Sequence, residues 1–169
     1  MATPIAKFWI CKRGSHFAQE AMECLGGNGY VEEGMLARVY REMPVNSIWE
    51  GAGNIMALDL LRALRKGSEP IEALQAELGE ARGSHALYDR FVAGLPQRLE
   101  DAGAHEAAAR RLAQDVALAV QASLLARHAP DYVFDAFCAS RLGGDWGQAF
   151  GTLPSGCDFA RLIARAMPH

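Results

Sequence analysis

The chain has 169 residues, with 17 basic and 20 acidic side chains and a formal net charge of −3. Apolar residues make up 50% and charged residues 22%, which is typical of a folded globular protein and excludes intrinsic disorder and collagen-like repeats. No apolar run approaches the ~20 residues of a membrane-spanning helix, and the first residues lack the apolar core of a secretory signal. The sequence therefore predicts a cytoplasmic protein without a membrane segment.

The small-residue face of the first predicted helix is its main feature. Five residues recur at three- and four-residue spacing, which places them on one side of a helix that another backbone can approach closely: Cys11, Gly14, Ala18, Ala21 and Leu25. The helix is predicted to stop at the glycines of residues 26–29, which suit a glycine C-cap. A dinucleotide-binding loop is excluded as the alternative, because these glycines end a helix instead of linking a strand to a helix.

A second helix is predicted to begin near Ser47 and to end at Gly67. Ser47 and Glu50 have the spacing of a capping box, and Pro44 upstream argues against one long helix from residue 35. Glu50 therefore has two interpretations. It is either the acidic member of the capping box or a carboxylate at a ligand site, since glycines in a first helical turn destabilise it unless something must approach the backbone.

The remainder of the chain is also predicted to be helical. One long helix runs from Ser68 to Leu95, and another from His105 to Arg127 carries an apolar stripe. That stripe has a spacing of four residues: Leu112, Val116, Val120 and Leu124. Helices over 131–142 and 158–167 flank a predicted loop at 145–157. The sequence thus predicts an all-α fold.

Histidines and cysteines give no sign of a metal site. The five histidines and four cysteines lack metal-ligand spacing, and the cysteines are predicted to be reduced packing residues. His85 lies on an apolar stripe and is predicted to be a packed or partly exposed core histidine. We therefore expect no bound metal.

Three ordered motifs carry a family resemblance. All three lie in the first third of the chain: AMECLGGNGY at 21–30, RVYRE at 38–42 and IWEG at 48–51. Together they resemble the C-terminal helical domain of flavin-dependent acyl-CoA dehydrogenases, and residues 41–56 resemble its AidB-like branch, named for the adaptive response to DNA alkylation. The resemblance covers about residues 5–66. It implies an incomplete C-terminal bundle segment at 1–66, followed by a helical extension at 67–169.

The resemblance implies roles for particular residues. Glu50 corresponds to the base that takes the α-proton of an acyl-CoA while the β-hydride passes to FAD. Two sets of residues correspond to positions that border FAD: Glu23, Cys24, Leu25, Gly26 and Gly27 in the glycine turn, which touches the FAD of a neighbouring subunit, and Gly51, Ala52, Gly53 and Asn54 after the base. Many family members carry Thr at the position of Ala52, and Gln at those of Asn54 and Glu23.

The family also has N-terminal and middle domains to which nothing in this chain corresponds. We therefore expect the chain to be the C-terminal part of a longer enzyme, which alone neither retains FAD nor oxidises acyl-CoA. Its small-residue and apolar helix faces predict self-association.

DNA binding is the alternative function that the resemblance suggests, because AidB proteins bind duplex DNA. Residues 67–169 carry 9 basic and 13 acidic side chains, which disfavours a nucleic-acid partner. A local basic patch remains the alternative: Arg82, Arg90, Arg98, Arg110 and Arg111.

Overall fold

The predicted all-α fold is confirmed. The computed structural model describes residues 1–144 and 149–168, and within these ranges the chain forms helices and turns without strands. The α-helices are α1 (Ala2–Glu23), α2 (Gly27–Tyr30), α3 (Met35–Asn46), α4 (Gly53–Leu64), α5 (Glu69–Gly79), α6 (Ala86–Ala93), α7 (Leu95–Ala104), α8 (Ala109–His128), α9 (Asp131–Phe137) and α10 (Phe159–Ala166). A 3₁₀ turn (Glu106–Ala108) precedes α8, and a π-helical turn (Cys138–Leu142) extends α9.

The chain divides into two compact units. The first unit comprises Met1–Pro70 and Leu99–Ala117, and the second comprises Ile71–Arg98 and the residues from Leu118 onward. The division at residue 66 that the family resemblance implies stays a prediction. The compact units follow a different boundary, because Leu99–Ala117 packs with the N-terminal residues.

In the first unit, α1 packs against α3 and α4. Ile5, Phe8 and Ala18 are the buried residues of α1. At Gly14 an added Cβ would lie 3.1 Å from the Met43 sulfur, so the small-residue face does admit α3 at this point. Leu25 lies outside α1 and is exposed, so it does not extend that face.

The predicted capping box is wrong. Helix α3 runs through Pro44 to Asn46, and the Ser47 hydroxyl donates to the Pro44 carbonyl oxygen at 3.0 Å, so Ser47 ends α3 and does not begin the next helix. Helix α4 begins only at Gly53. Pro44 does mark the end of α3, because that helix stops two residues beyond it.

In the second unit, the predicted single helix from Ser68 to Leu95 is wrong. Helix α5 ends at Gly79, and Gly83 adopts a φ of 83°, which breaks the helical path. Tyr88 on α6 is buried, and its hydroxyl donates to the Leu78 carbonyl oxygen at 2.7 Å. This hydrogen bond fixes α6 against the end of α5, and burial raises the pKa of the phenol.

His85 is confirmed as a partly buried packing residue. Its Nδ1 accepts a hydrogen bond from the Leu87 N–H at 3.1 Å, so it is the N-cap of α6. Its ring meets the Phe134 ring edge-on, with centroids 5.8 Å apart.

The stripe predicted on α8 holds only in its first half. Leu112 and Val116 are buried, whereas Leu124 is 43% exposed. A spacing of four residues advances about 40° per step around a helix, so three steps carry Leu124 about 120° away from Leu112. Small side chains on α8, Ala119 and Ala122, are fully buried instead.

The C-terminal region contains the predicted helices. The prediction over 131–142 is matched by α9 with its π-helical turn, and the Asp158 carboxylate accepts from the Arg161 N–H at the start of α10. No residue of α10 is buried. Residues 145–148 of the predicted loop lie outside the described residues. Among the helices described, none is long and apolar enough to cross a membrane.

The cysteine thiols differ sharply in environment, which predicts their reactivity. Burial raises the pKa of the Cys138 thiol to about 12, whereas Cys24 is exposed. In the folded chain we expect a thiol-specific disulfide reagent to modify Cys24 readily and Cys138 only after unfolding, as followed by mass spectrometry of digested peptides. Modification of Cys138 in the native chain at a rate like that of Cys24 would contradict its burial.

The burial of the Cys138 thiol also predicts that the free energy of unfolding depends on pH. Above pH about 9 the unfolded chain loses the Cys138 proton that the folded chain keeps. The neutral Cys138 thiol therefore contributes its full stabilisation to the folded state below pH about 9. This contribution is lost as the pH rises toward about 12.

Candidate functional site

The Glu50 carboxylate lies in a left-handed turn between α3 and α4. Glu50 has a φ of 51° and Gly51 a φ of 112°. Among the residues that the structure describes, Glu50 is the one non-glycine with a positive φ. Such backbone is unfavourable for a residue with a Cβ, so the surrounding structure must hold it. The Glu50 side chain is exposed in this structure.

Lys7 on α1 forms hydrogen bonds to the backbone of this turn. Its ammonium group donates to three carbonyl oxygens, at 3.1 Å to Asn46, 2.8 Å to Trp49 and 3.1 Å to Gly51. Hydrogen bonds from a charged donor are stronger than those between neutral groups. The three bonds enclose Glu50 on both sides and tie its backbone to α1. Sequence reasoning missed Lys7, because its partners lie about forty residues away and no local pattern marks it.

The start of α4 lacks a side-chain cap. Ala52 is the N-cap residue, and no side chain accepts from the first N–H groups of the helix there. Gly53 is buried, and an added Cβ would lie 2.5 Å from Lys12 Cε and 3.7 Å from the Phe8 ring. The missing side chain of Gly53 therefore serves packing within the chain. An outside molecule would meet Gly53 only through its backbone.

Asn54 makes a contact within the first unit. Arg110 of α8 donates to the Asn54 side-chain oxygen at 3.2 Å, and its guanidinium lies 5.7 Å from the centroid of the Phe8 ring. Cationic groups from Lys7, Lys12 and Arg110 therefore surround residues 51–54. Together with the positive end of α4 they favour an anionic group at this place.

The second predicted site is the glycine turn after α1. Cys24 is the C-cap of α1, the Gly26 N–H donates to the Glu23 carbonyl oxygen at 2.9 Å, and Gly26 adopts a φ of 57°. Glu23, Cys24 and Leu25 are all exposed. The turn thus presents its backbone and side chains to the outside.

Two glycines of this turn differ in what surrounds them. A Cβ added to Gly29 would lie 1.9 Å from the Met22 carbonyl oxygen, so only glycine fits there. A Cβ added to Gly27 would meet nothing within 4 Å, and Gly27 needs no positive φ. Nothing within the chain therefore requires glycine at 27, and open space is left where a ligand could approach the backbone.

The RVYRE motif contacts the segment around Glu32, which follows the glycine turn. Arg41 on α3 forms a two-pronged ion pair with Glu32, one of whose hydrogen bonds measures 3.0 Å. This hydrogen-bonded guanidinium lowers the pKa of the Glu32 carboxyl. A surface cavity of about 490 Å³ lies beside the pair, and its lining includes Met22, Tyr30 and Tyr40.

The structure does not bring the two predicted cofactor segments together. Lys7 holds the Glu50 turn near one end of α1, whereas Cys24 caps the other end. Seventeen residues at 1.5 Å per residue separate these points by about 25 Å along the helix. Each segment therefore forms a separate surface.

The described residues hold no cluster of metal ligands, and several arginines of the proposed basic patch have partners within the chain. No group of three histidine, cysteine or acidic side chains in that part of the chain could hold a metal ion. Arg98 lies over the Phe91 ring, Arg110 donates to Asn54, and Arg111 donates to the buried Asp115. Three of the five arginines proposed as a patch thus engage neighbours within the chain.

Comparison with known proteins shows what the first 65 residues are similar to. The family model described as acyl-CoA dehydrogenase, C-terminal domain, matches residues 1–65. The AidB protein of Escherichia coli (strain K12) is 57% identical over 97 residues, which cover 57% of this chain and 18% of that protein. Residues 1–65 are thus similar to the C-terminal domain of acyl-CoA dehydrogenases. The predicted resemblance to the AidB-like branch is confirmed.

Other relatives of this acyl-CoA dehydrogenase domain are more distant. Acyl-CoA dehydrogenase family member 11 of Caenorhabditis elegans is 28% identical over 102 residues, covering 60% of this chain and 16% of that protein. Butyryl-CoA dehydrogenase of Syntrophomonas wolfei is 29% identical over 94 residues, covering 53% and 15% respectively. The chain thus spans less than a fifth of the length of these relatives.

Proposed function

We propose that this chain acts as the C-terminal part of a flavin-dependent oxidoreductase that introduces an α,β double bond into an acyl-CoA. The observation that carries the proposal is the exposed Glu50 carboxylate in a left-handed turn anchored by Lys7. It occurs within a domain whose relatives are named acyl-CoA dehydrogenases.

Glu50 has the chemistry that the first step requires. A carboxylate accepts the proton that leaves the α-carbon of the thioester, provided that the two groups are held close together. The protein's contribution is to present this carboxylate in a fixed orientation, which the anchored turn achieves. When bound, a flavin would accept the hydride from the β-carbon, so that the substrate loses two electrons and two hydrogens.

Apart from Glu23, whose exposed carboxylate places a negative charge beside the cofactor, the residues that border the proposed cofactor fit an anionic dinucleotide. The uncapped start of α4 at Ala52 and the nearby Arg110 favour negative charge, and the open surface at Gly26 and Gly27 leaves room for close approach to the backbone. Because the two surfaces lie about 25 Å apart along α1, we propose that they contact different parts of the cofactor or two cofactor molecules.

The test uses the full-length protein loaded with FAD and mixed anaerobically with butyryl-CoA. We expect the yellow flavin absorption to bleach as the α,β-unsaturated product forms. The isolated chain of 169 residues is expected to bind no FAD and to give no such signal. A flavin-loaded full-length protein that no acyl-CoA of any chain length bleaches would overturn the proposal.

A further inference from the structure

We propose that Lys7 is a positioning residue: it fixes the left-handed turn that aims the Glu50 carboxylate, by donating to the carbonyls of Asn46, Trp49 and Gly51. The inference rests on the proposed function, in which Glu50 is the base. It adds a residue from the start of α1, more than forty positions before the base in the sequence.

The backbone at Glu50 requires outside support. A residue with a Cβ is less stable in the left-handed region, by about 1 kcal/mol. The backbone hydrogen bonds of the turn end before Glu50, since the Ile48 and Trp49 N–H groups donate back to the Val45 carbonyl oxygen. Beyond Trp49, the bond from Lys7 to the Gly51 carbonyl oxygen holds the far side of Glu50.

The Lys7 side chain suits this task. An ammonium group has three N–H donors that radiate from one atom, and three carbonyl oxygens surround it within 3.1 Å. Lys7 lies between the buried residues Ile5 and Phe8 on α1, so packing fixes the helix from which it extends. The backbone that carries Lys7 is therefore held in place, while its side chain reaches the turn around Glu50.

The orientation of Glu50 depends on this arrangement. If the three bonds are lost, the turn can relax toward ordinary negative φ, which swings the carboxylate away from the position it occupies. Proton transfer is sensitive to such displacement, because the reacting atoms must lie within hydrogen-bond reach. Because the Lys7 ammonium group bonds to backbone carbonyls of the turn, we expect the Kd for butyryl-CoA to stay close to that of the wild type.

The experiment compares Lys7→Met with Lys66→Met in the flavin-loaded full-length protein. Lys66 is exposed after α4, so its replacement removes the same charge and ammonium group without touching the turn. Amide hydrogen exchange of peptides spanning 46–52 should speed up about tenfold or more in Lys7→Met and stay unchanged in Lys66→Met. The rate of flavin reduction by butyryl-CoA should fall about tenfold or more, with the Kd for butyryl-CoA within about twofold of the wild type.

The outcomes separate the two proposals. Unchanged hydrogen exchange in Lys7→Met overturns the anchor, and faster exchange with an unchanged reduction rate overturns the positioning role. Unchanged flavin reduction in Glu50→Gln overturns the base itself, whatever Lys7 does. If Lys7→Met does not fold, Lys7→Gln replaces it. Glutamine keeps two donors but loses the charge, so smaller changes in the same direction are expected and their absence overturns the inference.

Discussion

Replacing Glu50 by Gln should slow the reduction of the bound flavin by butyryl-CoA about a thousandfold. Glutamine has nearly the same shape and can adopt the same turn, but its amide cannot accept the α-proton at neutral pH. The measurement is the single-turnover rate of flavin bleaching in the full-length protein under anaerobic conditions. The Kd of butyryl-CoA should change little, because the proton moves only in the transition state.

A matched substitution controls for the loss of one negative charge. Glu72 lies on α5, is exposed and belongs to the second unit, so Glu72→Gln should leave the bleaching rate within about twofold of the wild type. Equal rates for Glu50→Gln and the wild type would reduce Glu50 to a residue of the turn. A slower bleaching rate in both variants would mean that the loss of a negative charge, and not the loss of proton transfer, explains the effect.

Gly29→Ala should lower the free energy of unfolding by about 3 kcal/mol or more. An added Cβ would lie 1.9 Å from the Met22 carbonyl oxygen, which is backbone and belongs to the end of α1. Because α1 and α2 cannot both keep their places, one of them must shift and open the first unit. Urea unfolding followed by circular dichroism measures the change through the midpoint at constant slope.

Gly27→Ala is the control for this substitution. Gly27 lies in the same short helix, and an added Cβ would meet nothing within 4 Å. We expect the free energy of unfolding to stay within about 0.5 kcal/mol of the wild type. If the full-length protein carrying Gly27→Ala nevertheless loses FAD more readily, the open surface serves the cofactor. Equal destabilisation by both substitutions would contradict the steric explanation for Gly29.

The helical content and the family were predictable from the sequence, because they depend on local patterns. Gly67 and the residues that follow it separate α4 from α5, and Pro130 separates α8 from α9, as helix-ending signals predict. Glu50 was singled out by its motif and by the glycines beside it. Its proposed role as base stays a prediction.

The conformation around Glu50 could not be predicted in the same way. The spacing of Ser47 and Glu50 matches a capping box, yet the backbone forms a left-handed turn instead. What decides the outcome is Lys7, whose hydrogen bonds span 39 to 44 residues of sequence. A sequence pattern that spans only a few residues cannot reveal a contact between residues so far apart.

The prediction of one helix from Ser68 to Leu95 failed for a related reason. The apolar stripe between Ile71 and Leu95 continues past Gly79 and Gly83, which lie off it, so its spacing predicts one helix. The chain instead ends α5 at Gly79 and returns through Gly83, which lets the Tyr88 hydroxyl reach the Leu78 carbonyl oxygen. The buried hydrogen bond that favours the break depends on tertiary packing, which the apolar periodicity does not record.

Helix α10 has no buried residue, although Phe159 and Ile163 are both large and apolar. Core packing therefore gains almost nothing from the identity of these side chains. Natural selection that acts on folding stability alone leaves residues 159–166 free to drift among related organisms, in contrast to Gly29, where one added methyl group already meets backbone.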